Sequence, residues 1–274
     1  MNQGPKTHRR TKIVATVGPG CDSEDMLNRL IAAGVDVFRL NFSHGSAEHH
    51  AEVAARIRRQ AGYAGRYIGV LADLQGPKIR ISGFDAGSVE LTAGDPFCLD
   101  LDTAHDAGDQ RRVGIEYRAL PEQVIVDDIL LLDDGKLRLR VDDVTERAVD
   151  CTVIIGGRLS SRKGVNKLGG GLAAPALTEK DRADIAGMAT VDPDFVAVSF
   201  VSSSDDIKLA RPLLDEVGVS PAIIAKIERA EVVADYELLD SIIVTAEGVM
   251  VARGDLGVEV GDAQLIGIQK DLIK

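Results

Sequence analysis

A chain of 274 residues with 45% hydrophobic content carries enough apolar material for one large or two medium domains. Its 32 basic and 43 acidic side chains leave a formal charge of −11, which argues against a general binder of nucleic acid or of anionic membrane surfaces. Tryptophan is absent and aromatics total 4%, so stacking platforms for single-stranded nucleic acid are not on offer.

No apolar run approaches the roughly 20 residues that span a bilayer. Met1 to Lys12 is polar and basic without an apolar signal core, so export is not expected. Cys21, Cys98 and Cys151 are far apart and lack metal-ligand spacing, as expected of reduced thiols in a cytoplasmic protein.

In chain order, Thr11 to Val17 reads as a first strand, broken by Gly18-Pro19-Gly20. Asp22 or Ser23 can cap a helix with Met26, Leu27, Leu30 and Ile31 on one face, stopped at Gly34. Val35 to Leu40 is a second strand. Ser46 starts a helix with His50, Val53, Ala54, Ile57 and Ala61 at helical spacing, and Tyr67 to Leu71 is a third strand. This β-α-β-α-β rhythm implies a parallel sheet with right-handed crossovers.

The rhythm then changes. From Pro77 to Ala173 short β-like runs alternate with turns, and no amphipathic helix is expected. The clearest runs are Ser88 to Leu91, Phe97 to Leu101, Ile129 to Leu132, Leu137 to Val141 and Cys151 to Ile155, with a hairpin turn at Asp133-Asp134-Gly135-Lys136. Residues 77–173 are therefore expected to be an inserted all-β domain between barrel parts at 1–76 and 174–274.

After the hinge-like Gly169-Gly170-Gly171 the βα pattern returns. Thr178 and Asp181 form a capping pair for a helix carrying Ile185 and Met188, and Phe195 to Ser199 is the fourth strand. Ser202 or Ser203 caps a helix with Ile207, Ala210 and Leu214. Ile223 to Ile227 is the fifth strand, a helix follows from Ala230, and Val249 to Ala252 is the sixth strand.

Polar groups follow strands one, two, three, five and six. That suits the C-terminal rim of a barrel better than the single switch point of an open sheet. A (β/α)8 TIM-type barrel takes roughly 250 residues, so what remains outside 77–173 is expected to supply about six βα units, an incomplete barrel. In Ile223-Ile224-Ala225-Lys226-Ile227-Glu228, alternation places Lys226 and Glu228 on one face at the strand's C-terminal end. Such a pair can hold a divalent metal and neutralise a phosphoryl group, or it can be a simple salt bridge.

Six segments, in order, resemble pyruvate kinase of the bacterial type. They are Thr11 to Pro19, Arg39-Leu40-Asn41-Phe42-Ser43-His44-Gly45, Asp73-Leu74-Gln75-Gly76-Pro77-Lys78-Ile79-Arg80, Ser161 to Asn166, Ala225 to Glu228, and Met250 to Glu259. The resemblance implies transfer of the phosphoryl group of phosphoenolpyruvate to ADP, giving pyruvate and ATP in glycolysis, with residues 77–173 acting as a lid. It implies Lys226 and Arg39 as catalytic residues. Arg39, Lys226, Gly254 and Asp255 would bind substrate, and Glu228 and Asp255 would hold Mg²⁺ or Mn²⁺. Pro19, Asn41, His44, Arg80 and Lys163 fall at nucleotide positions.

Asn41, Ser43, Asp73 and the Leu74 carbonyl match a K⁺ site. Lys78 stands where K⁺-dependent members carry Glu, so K⁺ is expected to be dispensable. The resemblance further implies the N-terminal portion of a homotetramer, with the last barrel strands and a C-terminal domain not represented. Two alternatives remain: a catalytically weak or inactive interaction module derived from the kinase, and another Mg²⁺-dependent enolpyruvate-handling barrel.

Overall fold

The computed structural model describes residues 9–274; most of the polar N-terminal stretch, Met1 to His8, lies outside the described residues. Six parallel strands form the principal sheet: β1 Val14–Thr16, β2 Val37–Asn41, β3 Gly69–Asp73, β12 Phe195–Val198, β13 Ala222–Ile227 and β14 Gly248–Val251. They are ordered β1-β2-β3-β12-β13-β14. Between β3 and β12 come β4 Ser88–Leu91, β5 Pro96–Asp100, β6 Arg112–Gly114, β7 Ile129–Leu132, β8 Leu137–Val144, β9 Ala148–Ile155, β10 Gly157–Ser160 and β11 Val165–Lys167.

The helices are α1 Glu24–Ala33, α2 Ala47–Tyr63, α3 Leu120–Gln123, α4 Glu179–Ala186, α5 Met188–Val191, α6 Ser204–Glu216, α7 Ala230–Ala234, α8 Tyr236–Thr245, α9 Arg253–Val260 and α10 Asp262–Ile273. The architecture is an incomplete α/β barrel of the (β/α)8 type, with β1 and β14 at the two edges of its sheet.

Local chemistry sets the helix starts. The Ser23 hydroxyl accepts from the Met26 amide, the Ser46 hydroxyl from the His49 amide, and Thr178 with Asp181 forms a reciprocal capping box. Gly34 ends α1 at φ 109°, a left-handed conformation that glycine adopts without strain. Leu27 and Ile31 of α1, Val53 and Ile57 of α2, and Ile207 and Leu214 of α6 cover Phe38, Val70, Val196 and Ile223 of the strands. A second apolar core, including Phe97, Leu99, Leu130, Leu139, Val149 and Val153, lies within the sheet ordered β11-β7-β8-β9-β5-β6.

The strands differ from expectation mostly by slippage. β1 is shorter than Thr11 to Val17 because, among the described residues, its ladder partner is β2 alone, in the register Val14↔Val37 to Thr16↔Arg39. β3 runs to Asp73 instead of ending at Leu71, because Asn41 and Asp73 are still paired across β2 and β3. Met188 does not continue the helix of Ile185: the chain kinks at Gly187 and Met188 opens α5, both side chains still buried. Within residues 77–173 the one-turn α3 and the short β6, β10 and β11 carry too few residues to show a period. Arg253-Gly254-Asp255 forms the first turn of α9, anchored by the fully buried Leu256.

Candidate active site

Parallel strands in register deliver their C-terminal residues to one rim. Thr16 pairs with Arg39, Asn41 and Ala197 each pair with Asp73, and Val198 pairs with Ala225 just before Lys226. The rim's centre is charged and buried: Asp73 is 1%, Glu228 0% and Lys226 9% exposed. Lys226 Nζ lies 3.0 Å from Glu228 Oε1 and 3.3 Å from Asp73 Oδ1, and it donates a 2.7 Å hydrogen bond to Ser199 Oγ. Ser199 Oγ in turn donates to the Leu74 carbonyl at 2.7 Å. The other oxygen of Asp73 accepts from Arg39 Nε at 2.5 Å, and Arg39 Nη1 donates to Thr16 Oγ1 at 3.0 Å.

Two carboxylate oxygens in this cluster, Asp73 Oδ1 and Glu228 Oε1, are buried without a hydrogen bond, since Lys226 stands at ion-pairing distance but off the bonding direction. The second oxygen of Glu228 accepts from the Phe200 amide at 2.6 Å. Burial would lower the pKa of Lys226, but the facing charges of Glu228 and Asp73 outweigh it, so the ammonium titrates above its ordinary value and stays charged. Burial pushes the Glu228 carboxyl up; Lys226 opposes this and the Asp255 charge adds to it.

Asp255 enters from the first turn of α9. Its carboxylate accepts from Lys78 Nζ at 3.0 Å, and Lys78 also stands 3.6 Å from Asp134 in the β7–β8 turn. Among the described residues no group of three or more His, Cys, Asp or Glu is disposed to hold a metal. A Mg²⁺ site built from one or two carboxylates plus substrate oxygens needs no such group. The unpartnered buried Glu228 oxygen and the hard-oxygen chemistry of Glu228 and Asp255 fit that kind of site. A Cβ built on Gly254 meets nothing within 4 Å, so the backbone of this turn faces open space.

The nucleotide candidates fall in two groups, with no hydrogen bond or ion pair joining them among the described residues. Arg80 and Gly164 form an antiparallel bridge, which sets Arg80 beside Lys163; Arg80 Nη1 donates to the Arg162 carbonyl at 2.9 Å. Lys163 is paired with Asp133 at 2.8 Å, and this contact holds the Asp133 carboxyl below the usual range. Pro19, Asn41 and His44 lie at the ends of β1 and β2. The Asn41 side chain accepts from the Ser43 amide, and the His44 carbonyl receives His50 Nε2 at 2.8 Å.

Asn41, Ser43, Asp73 and Leu74 do gather at the ends of β2 and β3. The ammonium of Lys78 is elsewhere, on Asp255 and Asp134, while the cations on Asp73 are Arg39 and Lys226. Ser199 is the residue sequence reasoning passed over. Its signal was present, a polar residue closing the fourth strand at the rim level of its neighbours.

The chain matches the family model described as pyruvate kinase, barrel domain, over residues 8–274. The chain belongs to the pyruvate kinase family. It is 52% identical over 266 residues to pyruvate kinase II of Salmonella typhimurium, covering 97% of this chain and 55% of that protein. Against pyruvate kinase of Haemophilus influenzae it is 50% identical over 266 residues, covering 97% and 56%. The crystal structure of a pyruvate kinase from Cryptosporidium parvum superposes with a TM-score of 0.90 at 33% identity, covering 97% of this chain and 55% of that one. The chain thus spans about half the length of the relatives it matches.

Proposed function

We propose that this chain supplies the substrate-, metal- and nucleotide-facing portion of a cytoplasmic pyruvate kinase acting in glycolysis. The observation that carries this reading is the buried Lys226 held between Glu228 and Asp73, with Arg39 on the far side of Asp73. The reaction breaks the bond between phosphorus and the enol oxygen of phosphoenolpyruvate and forms one to a terminal phosphate oxygen of ADP. The enolate left behind takes a proton at carbon to become pyruvate. Such a transfer needs positioning and charge stabilisation more than covalent chemistry.

Lys226 is suited to stabilising charge on the transferring phosphoryl oxygens, because Ser199, Glu228 and Asp73 fix its ammonium in a water-poor setting. Arg39, aimed by Asp73 and Thr16, grips the phosphate. The open first turn of α9 at Gly254 offers backbone N–H groups to the substrate carboxylate. Arg80 and Lys163 receive ADP phosphates as residues 77–173 close as a lid over the rim. Mg²⁺ or Mn²⁺ on Glu228 and Asp255 would neutralise and orient substrate oxygens.

We further propose that K⁺ is dispensable, since Asp73 already faces two cations. The whole protein is proposed to be a homotetramer with neither nucleic acid nor membrane as a partner. Calorimetric titration of the intact gene product with phosphoenolpyruvate, with and without Mg²⁺, tests the reading together with a coupled assay for pyruvate formation. Mg²⁺-dependent binding with turnover is the expected result. Binding that ignores both the metal and the Arg39→Ala substitution would overturn it.

A further inference from the structure

The two segments that connect residues 77–173 to the barrel pass either side of one small cleft. Its lining includes Pro77, Lys78 and Ile79 on the way out, Asn166 and Leu172 on the way back, and Glu259 from α9. Glu259 is 8% exposed, and its carboxylate joins three elements. Asn166 Nδ2 of β11 donates to Oε1 at 3.2 Å, and the Ala230 amide that opens α7 donates to Oε2 at 2.9 Å. The Glu259 carbonyl accepts from the Gly169 amide at 3.1 Å.

Around it, Arg229 is 4% exposed and spends its guanidinium on Glu231 at 3.1 Å and the Ala174 carbonyl at 3.1 Å, leaving Nε without a partner. Glu231 also accepts from the Gly171 amide at 3.3 Å. The return linker is thus tied to the barrel by two carboxylates. All three of its glycines have positive φ, so what fixes it is this set of contacts and not regular structure.

We propose that Glu259 is a proton-coupled latch on the inserted domain, holding the hinge shut when neutral and easing it open when ionised. This rests on the reading of residues 77–173 as a lid. A charged carboxylate enclosed here has lost its water and faces a second carboxylate, Glu231; opening the hinge would rehydrate it. The charged groups facing it are Arg229 at the start of α7 and Glu231 in its first turn, and Lys78 across the cleft on the outgoing segment; β11 presents the neutral Asn166.

Burial raises the Glu259 carboxyl from 4.5 to about 7; the Ala230 amide, Asn166 and Arg229 pull it back and Glu231 adds to the rise. The sign follows from linkage. The closed form binds the proton more tightly than a hydrated open form, so between the open-state value of 4.5 and the closed-state value of about 7 each pH unit favours opening by up to about tenfold, and above it the effect levels off.

Hydrogen exchange of the intact gene product between pH 5 and 9, corrected for the intrinsic rate, reads this at residues 165–172. Expected is an opening that grows severalfold per pH unit up to about neutrality in the wild type, flattens above it, and stays at its low-pH level throughout in Glu259→Gln. Glu231→Gln, which removes the like charge, is expected to make the rise level off at lower pH and reach a smaller final opening. It also keeps the test alive if Glu259→Gln fails to fold. Exchange that follows only the intrinsic rate in the wild type overturns the latch, as does a pH response that persists in Glu259→Gln. In either case, a change in protection of residues 77–173 on adding Mg²⁺ and ADP leaves the lid reading standing, and no change removes that reading too.

Discussion

Replacing Lys226 with methionine keeps most of the side chain's volume and removes its charge. The ammonium stands 3.0 Å from Glu228 and 3.3 Å from Asp73. At an effective dielectric of ~20 each contact is worth roughly 5 kcal/mol of Coulomb attraction before desolvation is charged against it. Most of that is offset by the cost of burying the charges. Deleting one partner nevertheless leaves the others buried and uncompensated, which costs about 3–5 kcal/mol. Asp73 keeps Arg39, so Glu228 bears the larger share of the loss.

Urea unfolding should therefore show Lys226→Met destabilised by about 3 kcal/mol or more. Phosphoryl transfer should fall at least about a thousandfold, beyond the loss for a single oxyanion donor. Glu228→Gln added to Lys226→Met should recover part of the stability and none of the activity. A Lys226→Met protein as stable as wild type, or one destabilised but not rescued by the second change, would refute the reasoning.

Three further outcomes are expected. In Mn²⁺ titrations followed by electron paramagnetic resonance, Asp255→Asn should weaken binding about tenfold or more. Lys78→Met should tighten it, because the 3.0 Å contact makes Lys78 a rival cation for Asp255; weakening in both would dismiss that rivalry. Gly76→Ala places a Cβ 2.7 Å from Ser199 Cβ at a φ of +67°, so we expect a loss of about 1–3 kcal/mol in urea unfolding and displacement of Ser199 from Lys226. Wild-type stability there would mean the turn at Gly76 relaxes freely. Adding K⁺ to a sodium- and potassium-free assay should raise activity by less than about tenfold, an electrostatic bound of 1.4 kcal/mol on what the ion contributes beside Arg39 and Lys226; a larger rise contradicts it.

The sequence by itself determined what depends on neighbours in the chain. Capping residues such as Ser23, Ser46 and Thr178 start helices through hydrogen bonds to amides three residues on, and the buried stripe of α2 follows helical periodicity. The alternation that pairs Lys226 with Glu228 is equally local, and the two side chains meet at 3.0 Å. Runs that were too short carried no such signal. One-turn α3 and three-residue β6 and β11 exist because partners across the sheet hold them.

Only the tertiary structure decided which charges meet. Asp73 lies between Arg39 and Lys226 because β2 is its neighbour on one side and β12 on the other, which brings β13 within side-chain reach. Lys78 met Asp255, not the Asp73 group, because the chain leaves β3 toward the inserted sheet and passes the first turn of α9. Ser199 carried only its place at a strand end, and Glu259 carried no signal, for the same reason. A hydroxyl at a strand end and a carboxylate in an amphipathic helix look ordinary until burial decides what they must bond to.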